Sequence, residues 1–513
     1  MSQQTVGARV SHNAISNYIG QAYSMFITLA SVPIFIKYLG TEAYGLIGFF
    51  VLLQNFTSFL DFGLSITINR LIAQAKVIIN GFAPFGYLLK AIEYGFMIVS
   101  IAITTTMYLN SDFISSKWIK STTLAHTGIA YSLELMSLII ALKLYATFYR
   151  SGINGFEDQI WNNKVNILIN TLKYGGSIVL LIFFSQNITT YFEYQLIIAV
   201  FEVIVLRQRF YKNMPNLVVY HRSDKIDWLE ILKIVPFALS ITYTSAAVII
   251  IMQLDKLLLS STISLKELGY LNVISSVTGL ILVMATPIFL AYFPKITALA
   301  ANNKAVEMRA VYTDMTKIVA LITASATAMI ACNAEGIIYA ITGSRAAQAW
   351  SSEVLVYYAI GTGFYVLGSV PYYLLNSLGN LKLYVLGCTI SLVFLTPAIF
   401  FIVQTYGVLG VSYLWMLYGF IWFILWGMLV HNKVLPKFHT QWLFKDIAPL
   451  VVSTGITTFI VSYLINISEN ESRALIVVQG LVIGAVILLT NAFWLKGFRV
   501  VLQNIFDKTI KLK

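Results

Sequence analysis

Long apolar runs separated by short polar stretches dominate the chain. A membrane-spanning helix needs about 20 mainly apolar residues. Fourteen segments approach or exceed that length, near 14–37, 44–67, 84–108, 124–149, 164–184, 188–208, 234–256, 267–293, 316–340, 353–376, 383–403, 408–430, 446–466 and 474–494. The connections are short, and the longest polar stretch runs roughly from Arg207 to Lys233. The pattern predicts an all-α polytopic membrane protein of about 14 transmembrane helices.

Composition supports this class. Apolar residues make up 58% of the 513 positions and charged residues 11%, whereas soluble domains carry about 25% charged residues. A water-soluble chain of this length would lack the charge to cover its surface. The formal net charge of +12 points to membrane orientation rather than to nucleic acid, because the basic residues sit in short loops. With the N-terminus placed in the cytoplasm, cytoplasmic segments hold roughly 24 Lys and Arg and outer segments about 7, as the positive-inside rule requires. Both termini are then expected to be cytoplasmic, with 109–123 and 467–473 outside. The N-terminus does not read as a cleavable signal, since the apolar stretch after it is too long and is polar at intervals. Cys332 and Cys388 lie in apolar segments, too few and too deep for a disulfide framework or a metal cluster.

The basic stretch offers the best internal boundary. It suggests a first lobe at 1–208 (spans one to six), a basic linker at 209–233, a second lobe at 234–431 (spans seven to twelve), and a C-terminal helix pair with a tail at 432–513. The lobes echo each other faintly. TEAYGL (41–46) leads into span two, and KELGYL (266–271) leads into span eight. Internal repeats of this kind are common in transporters, with the substrate path between the halves. Spans thirteen and fourteen fall outside the repeat, either as a lipid-tail groove or as a peripheral addition.

Polar residues recur along particular faces. Span one carries Asn17, Gln21, Ser24, Thr28 and Ser31, spaced 4, 3, 4 and 3 apart, and span two carries Gln54, Ser58, Asp61 and Ser65. Such a stripe in hydrocarbon must face protein or water. It reads as the lining of a hydrated cavity or, for the Ser and Thr positions, as helix packing. Ionisable residues concentrate in the first six spans: Asp61, Lys90, Glu93, Glu134, Lys143, Lys173, Glu193 and Glu202. Counted from the span ends at 1.5 Å per residue, Lys90, Lys143 and Lys173 each lie roughly 10–14 Å inside the cytoplasmic boundary. Three ammonium groups at one depth suit a multiply charged anion such as pyrophosphate. The competing readings are snorkelling to the interface and pairing of Lys90 with Glu93, three residues on. Asp61, Glu93 and Glu134 are candidates to neutralise the site or to carry a coupling proton. Asp255, in QLDK (253–256), either orients the end of span seven or helps to close an outer gate. His12, His126, His221, His431 and His439 fall in termini and loops and are expected at surfaces or interfaces.

Several of these segments resemble one family. The run from Ser16 to Gln74, with YLGTEAYG (38–45) and LDFGLS (60–65), is similar to the N-terminus of polysaccharide-biosynthesis proteins of the O-antigen (Wzx-like) flippase type. That family lies within the multidrug/oligosaccharidyl-lipid/polysaccharide exporter superfamily. FYRSGINGFEDQIWNN (148–163), QLDKLLLS (253–260), ELGYLNV (267–273) and AYFPKITAL (291–299) add to the likeness, which covers most of 10–430. The resemblance implies two six-helix lobes around a central cavity that opens alternately to each side, in a bacterial inner membrane. It implies a polyprenyl-diphosphate-linked oligosaccharide as cargo for O-antigen, capsule or exopolysaccharide assembly. Implied partners are membrane lipids, a coupling proton or sodium ion and polysaccharide-assembly proteins, with no cofactor. Span one lacks the arginines that line lipid II flippase cavities, which argues against a peptidoglycan precursor.

Two alternatives stand against this reading. A drug/cation antiporter of the same superfamily is expected to place an acid in its first helix, and span one has none. A membrane-embedded glycan enzyme needs positioned nucleophiles, acids or metal ligands; the sequence has no DxD motif, no Cys/His cluster and no large outer loop. A non-enzymatic transporter is the expectation.

Overall fold

The computed structural model describes residues 3–57, 60, 64–75, 82–214, 228–464 and 472–492. The chain is helical throughout these residues, apart from turns and one isolated bridge between Lys120 and Ser264. Helices satisfy every interior backbone donor and acceptor within one segment, which is what hydrocarbon demands of a spanning element.

Besides a short helical segment at Ser111–Trp118, the helices in chain order are α1 (Gln3–Leu39), α2 (Thr41–Thr57), α3 (Leu64–Ala75), α4 (Phe82–Leu109), α5 (His126–Gly155), α6 (Gln159–Phe183) and α7 (Ile188–Asn213). They continue with α8 (Trp228–Thr262), α9 (Leu265–Ala301), α10 (Ala305–Cys332), α11 (Ala334–Thr342), α12 (Arg345–Ser377), α13 (Lys382–Val434), α14 (His439–Val461) and α15 (Arg473–Ala492).

Twelve of the described helices are long and apolar enough to cross a membrane. The expected count of fourteen is therefore approximate, and two regions account for the difference. The expected second span is described only in part, as α2 of 17 residues and α3 of 12, and most of 58–63 between them lies outside the described residues. The expected eleventh and twelfth spans form the single run α13, interrupted at Gly407, whose φ of 59° and ψ of −147° leave the helical region. A Cβ is poorly tolerated at such a φ. The two halves of α13 lie side by side: Tyr418 donates to Ser391 at 3.3 Å, and Tyr384 meets Trp426 at 6.3 Å between ring centroids.

The chain forms two compact units, Met1–Gly269 and Tyr270–Lys513. The core of the first is aromatic. Phe148, Tyr149 and Phe210 are almost fully buried, with ring centroids 5.2–5.6 Å apart, where α5 packs against α7. In the second, α12 packs along both halves of α13, and α15 closes on α10 and α14 through Ile483, Ile487, Val461 and Met329. Large side chains such as Phe183, Phe184, Phe394 and Phe459 are exposed on the outside, as a chain solvated by lipid requires. The molecule is a multi-pass membrane protein.

Candidate functional site

The charged residues of the first unit gather where α5, α6 and α7 meet. Glu202 on α7 is buried. Its two carboxylate oxygens are taken separately, by Arg150 of α5 at 2.6 Å and by Lys173 of α6 at 2.9 Å. Arg150 also donates to Asn162 at 3.0 Å, and Asn162 donates to Asn154 at 2.9 Å. Lys143, two turns before Arg150 on α5, lies within Coulombic reach of Lys173, Glu202 and Arg150. Its ammonium donates to Gln54 of α2 at 2.7 Å. Three basic side chains thus gather around one carboxylate, and Arg150 and Lys173 alone leave an excess of at least one positive charge. The Gln54 amide nitrogen is buried and has no hydrogen-bond partner among the described residues, so a second donor accompanies the Lys143 ammonium.

Local structure sets Lys173 in place. Residues Thr171–Gly176 form a π-helical turn within α6, an irregularity that leaves carbonyls without regular helical partners. Side chains of α7 satisfy them: Tyr194 donates to the Leu172 carbonyl at 2.9 Å and Gln195 to the Lys173 carbonyl at 3.0 Å. Gln195 also reaches Ser177 at 3.0 Å.

Glu93 on α4 is surrounded by phenols. It accepts from Tyr149 at 2.6 Å, Tyr211 at 2.8 Å and Tyr145 at 3.2 Å. These bonds hold the Glu93 carboxylate from α5 and α7. Lys90 itself is half-buried, one turn before Glu93. Glu134 is half-buried, and its carbonyl accepts from Ser137 at 2.6 Å.

The stripe on α1 divides. Gln21 is exposed. Ser24, Thr28 and Ser31 donate to carbonyls of their own helix at 2.6–2.7 Å, and Asn170 of α6 donates to Ser24 at 2.7 Å. These hydroxyls serve helix packing. The side chain of Asn17, together with Ser58 and Asp61, lies outside the described residues. Asp255 is buried within α8, which continues to Thr262, and its carboxylate lies 3.4 Å from the Lys256 ammonium.

Near the start of α2 a second polar centre holds a loop. Glu42 is buried and accepts from the backbone amides of Thr122 and Thr123 and from the hydroxyls of Ser121, Thr122 and Thr123. Burial alone would raise its pKa, but these donors outweigh burial and hold the carboxyl at about 2. The same loop is tied to the α8–α9 turn: Leu265 donates its amide to the Lys120 carbonyl at 2.7 Å, and Trp118 donates to Ser260 at 2.9 Å.

One group overturns its expectation. His431 and His439 are buried rather than at a surface, with their Nδ1 atoms 3.1 Å apart. His431 also lies 2.8 Å from the Tyr312 hydroxyl. Phe438 packs on the His431 ring, and Trp442 on both. The connection looks polar in sequence, but its aromatic residues fold it inward.

Together these features define an all-helical membrane fold in which half-buried cations gather around a buried carboxylate in one unit. Known structures share the fold. The lipid II flippase MurJ in an inward closed conformation superposes with a TM-score of 0.70 at 16% identity, covering 92% of this chain and 97% of that one. An inward-facing multidrug resistance MATE family transporter of the MOP superfamily gives 0.64 at 15% identity, covering 80% and 96%. The MATE multidrug transporter DinF-BH gives 0.63 at 15% identity, covering 84% and 97%. No family model matches the sequence, and no curated protein sequence matches it.

Proposed function

We propose that the chain is a flippase that moves a polyprenyl-diphosphate-linked oligosaccharide from the cytoplasmic to the outer leaflet of a bacterial inner membrane by alternating access, for surface-polysaccharide assembly. On this reading it is a transporter of the MOP superfamily, not an enzyme, with both termini cytoplasmic. A proton or sodium ion is the proposed coupling ion, and polysaccharide-assembly proteins are its proposed partners. The observation that carries the reading is the excess of positive charge formed by Lys143, Arg150 and Lys173 around Glu202. A diphosphate is costly to strip of water, and fixed cations with spare donors offset that cost.

A drug/cation antiporter is the second reading, supported by the likeness to MATE structures. A cationic drug would meet repulsion at a cluster with surplus positive charge, which favours the anionic cargo. The discriminating experiment is reconstitution. Vesicles containing the protein should translocate a fluorescent lipid-linked glycan, and cells expressing it should gain no resistance to cationic dyes. Dye export without glycan translocation would establish the antiporter.

A further inference from the structure

The groove between the two halves of α13 carries a separate inference, independent of the cargo. Its walls are Leu386, Ile390 and Phe394 on one side and Leu417, Ile421 and Leu425 on the other, all exposed to the surroundings of the unit. Its floor is set by Gly387, where a Cβ would lie 2.7 Å from the Trp426 ring, and by Trp422 and Trp426, stacked at 4.8 Å and 11°. The free space is about 580 Å³, within the range of small-molecule sites, roughly 300–1,000 Å³.

Length and charge indicate the occupant. From Leu383 to Ala398 the groove runs along about 22 Å of helix at 1.5 Å per residue. One leaflet of hydrocarbon is about 15 Å deep, so an extended acyl chain fits along it. The lining is apolar until one end, where Lys433 borders the groove and Lys382 begins the facing helix beside Leu383. Both lysines are exposed, and neither has an ion-pair partner among the described residues. Basic residues at the mouth of a pocket between spanning helices suit a phosphate head group.

We propose that this groove binds an anionic phospholipid, with one acyl chain along α13 and its phosphate at Lys433 and Lys382. Trp422 and Trp426 on the floor make the site readable. Full-length protein is placed in phosphatidylcholine vesicles with a minor fraction of phosphatidylglycerol brominated on its acyl chains, and tryptophan fluorescence is measured. Brominated phosphatidylglycerol should quench more than brominated phosphatidylcholine at the same fraction. Lys433→Gln should lower that preference roughly fivefold, and Lys433→Arg should retain it. Leu425→Tyr, which narrows the groove from its exposed wall, should exclude the chain and reduce the quenching of the floor tryptophans. Equal quenching by the two lipids, or a preference unchanged in Lys433→Gln, would overturn the site. Displacement of brominated phosphatidylglycerol by a polyprenyl monophosphate would also overturn it, by assigning the groove to a carrier lipid instead.

Discussion

At the scale of single residues, the buried charges make unequal demands. Removing Glu202 leaves Arg150 and Lys173 without their shared carboxylate, and breaking a buried ion pair costs about 3–5 kcal/mol. Removing Lys173 leaves Glu202 with Arg150. Glu202→Gln should therefore lower the thermal unfolding temperature in detergent more than Lys173→Gln does, and equal losses would contradict the shared-carboxylate arrangement. Glu42 has a different consequence. Its folded pKa, about 2, is below the unfolded value of about 4.3. The loop contact is thus fully stabilising above the unfolded value and is lost as pH falls through the folded one. Glu42→Gln should speed amide exchange at Thr122 and Thr123 by roughly 10–100-fold, as expected for losing a charged hydrogen bond of about 1.5–3 kcal/mol. Unchanged protection of those amides would show that the loop holds without the carboxylate.

At the scale of elements, the two echoed motifs turn out to be in contact. A Cβ on Gly45 would lie 1.9 Å from the Leu265 carbonyl oxygen, and one on Gly269 would lie 2.7 Å from the Thr41 carbonyl oxygen. The α2 backbone therefore crosses the start of α9 at a distance only glycine allows. Ser264 and Glu267 fix the beginning of α9 by reciprocal capping, with Glu267 accepting from the Ser264 amide at 2.8 Å and Ser264 accepting from the Glu267 amide at 3.2 Å. Gly45→Ala should force this crossing apart and expose a cysteine placed at the buried Leu268 to aqueous thiol reagents. Gly279→Ala, with open space around it, should leave that cysteine protected. If both variants protect it equally, the crossing tolerates a methyl group and the close approach is not essential.

Most elements were legible from apolar run length, because hydrocarbon permits little except helices. The turn at Gly407 falls in the gap between the expected eleventh and twelfth spans, and it lays the two halves of α13 side by side. The depth of Lys143 and Lys173 could be counted along the helices. The association of Lys173 with Glu202 and of Lys143 with Gln54 could not, because those partners are 29 and 89 residues away in the chain. The phenols around Glu93 and the inward-folded His431 and His439 were hidden for a related reason. Tyrosine and histidine suit interfaces as well as cores, and only packing decides.

At the scale of the whole molecule, orientation and cargo are each open to a direct measurement. The orientation is tested by a cysteine at the exposed Ser472, which should label only from outside the cell; labelling only from the cytoplasm would reverse the topology. The central claim is that the cation cluster in the first unit holds the diphosphate of a lipid-linked glycan. Its most direct test is translocation of such a glycan in vesicles reconstituted with wild-type protein and with Lys143→Gln/Lys173→Gln, at matched amounts of folded protein. The double variant should transport at least about tenfold more slowly, equivalent to about 1.4 kcal/mol, and Lys143→Arg should retain part of the rate because a point charge suffices for phosphate. Wild-type transport by the folded double variant would contradict the account and leave the lysines as structural residues.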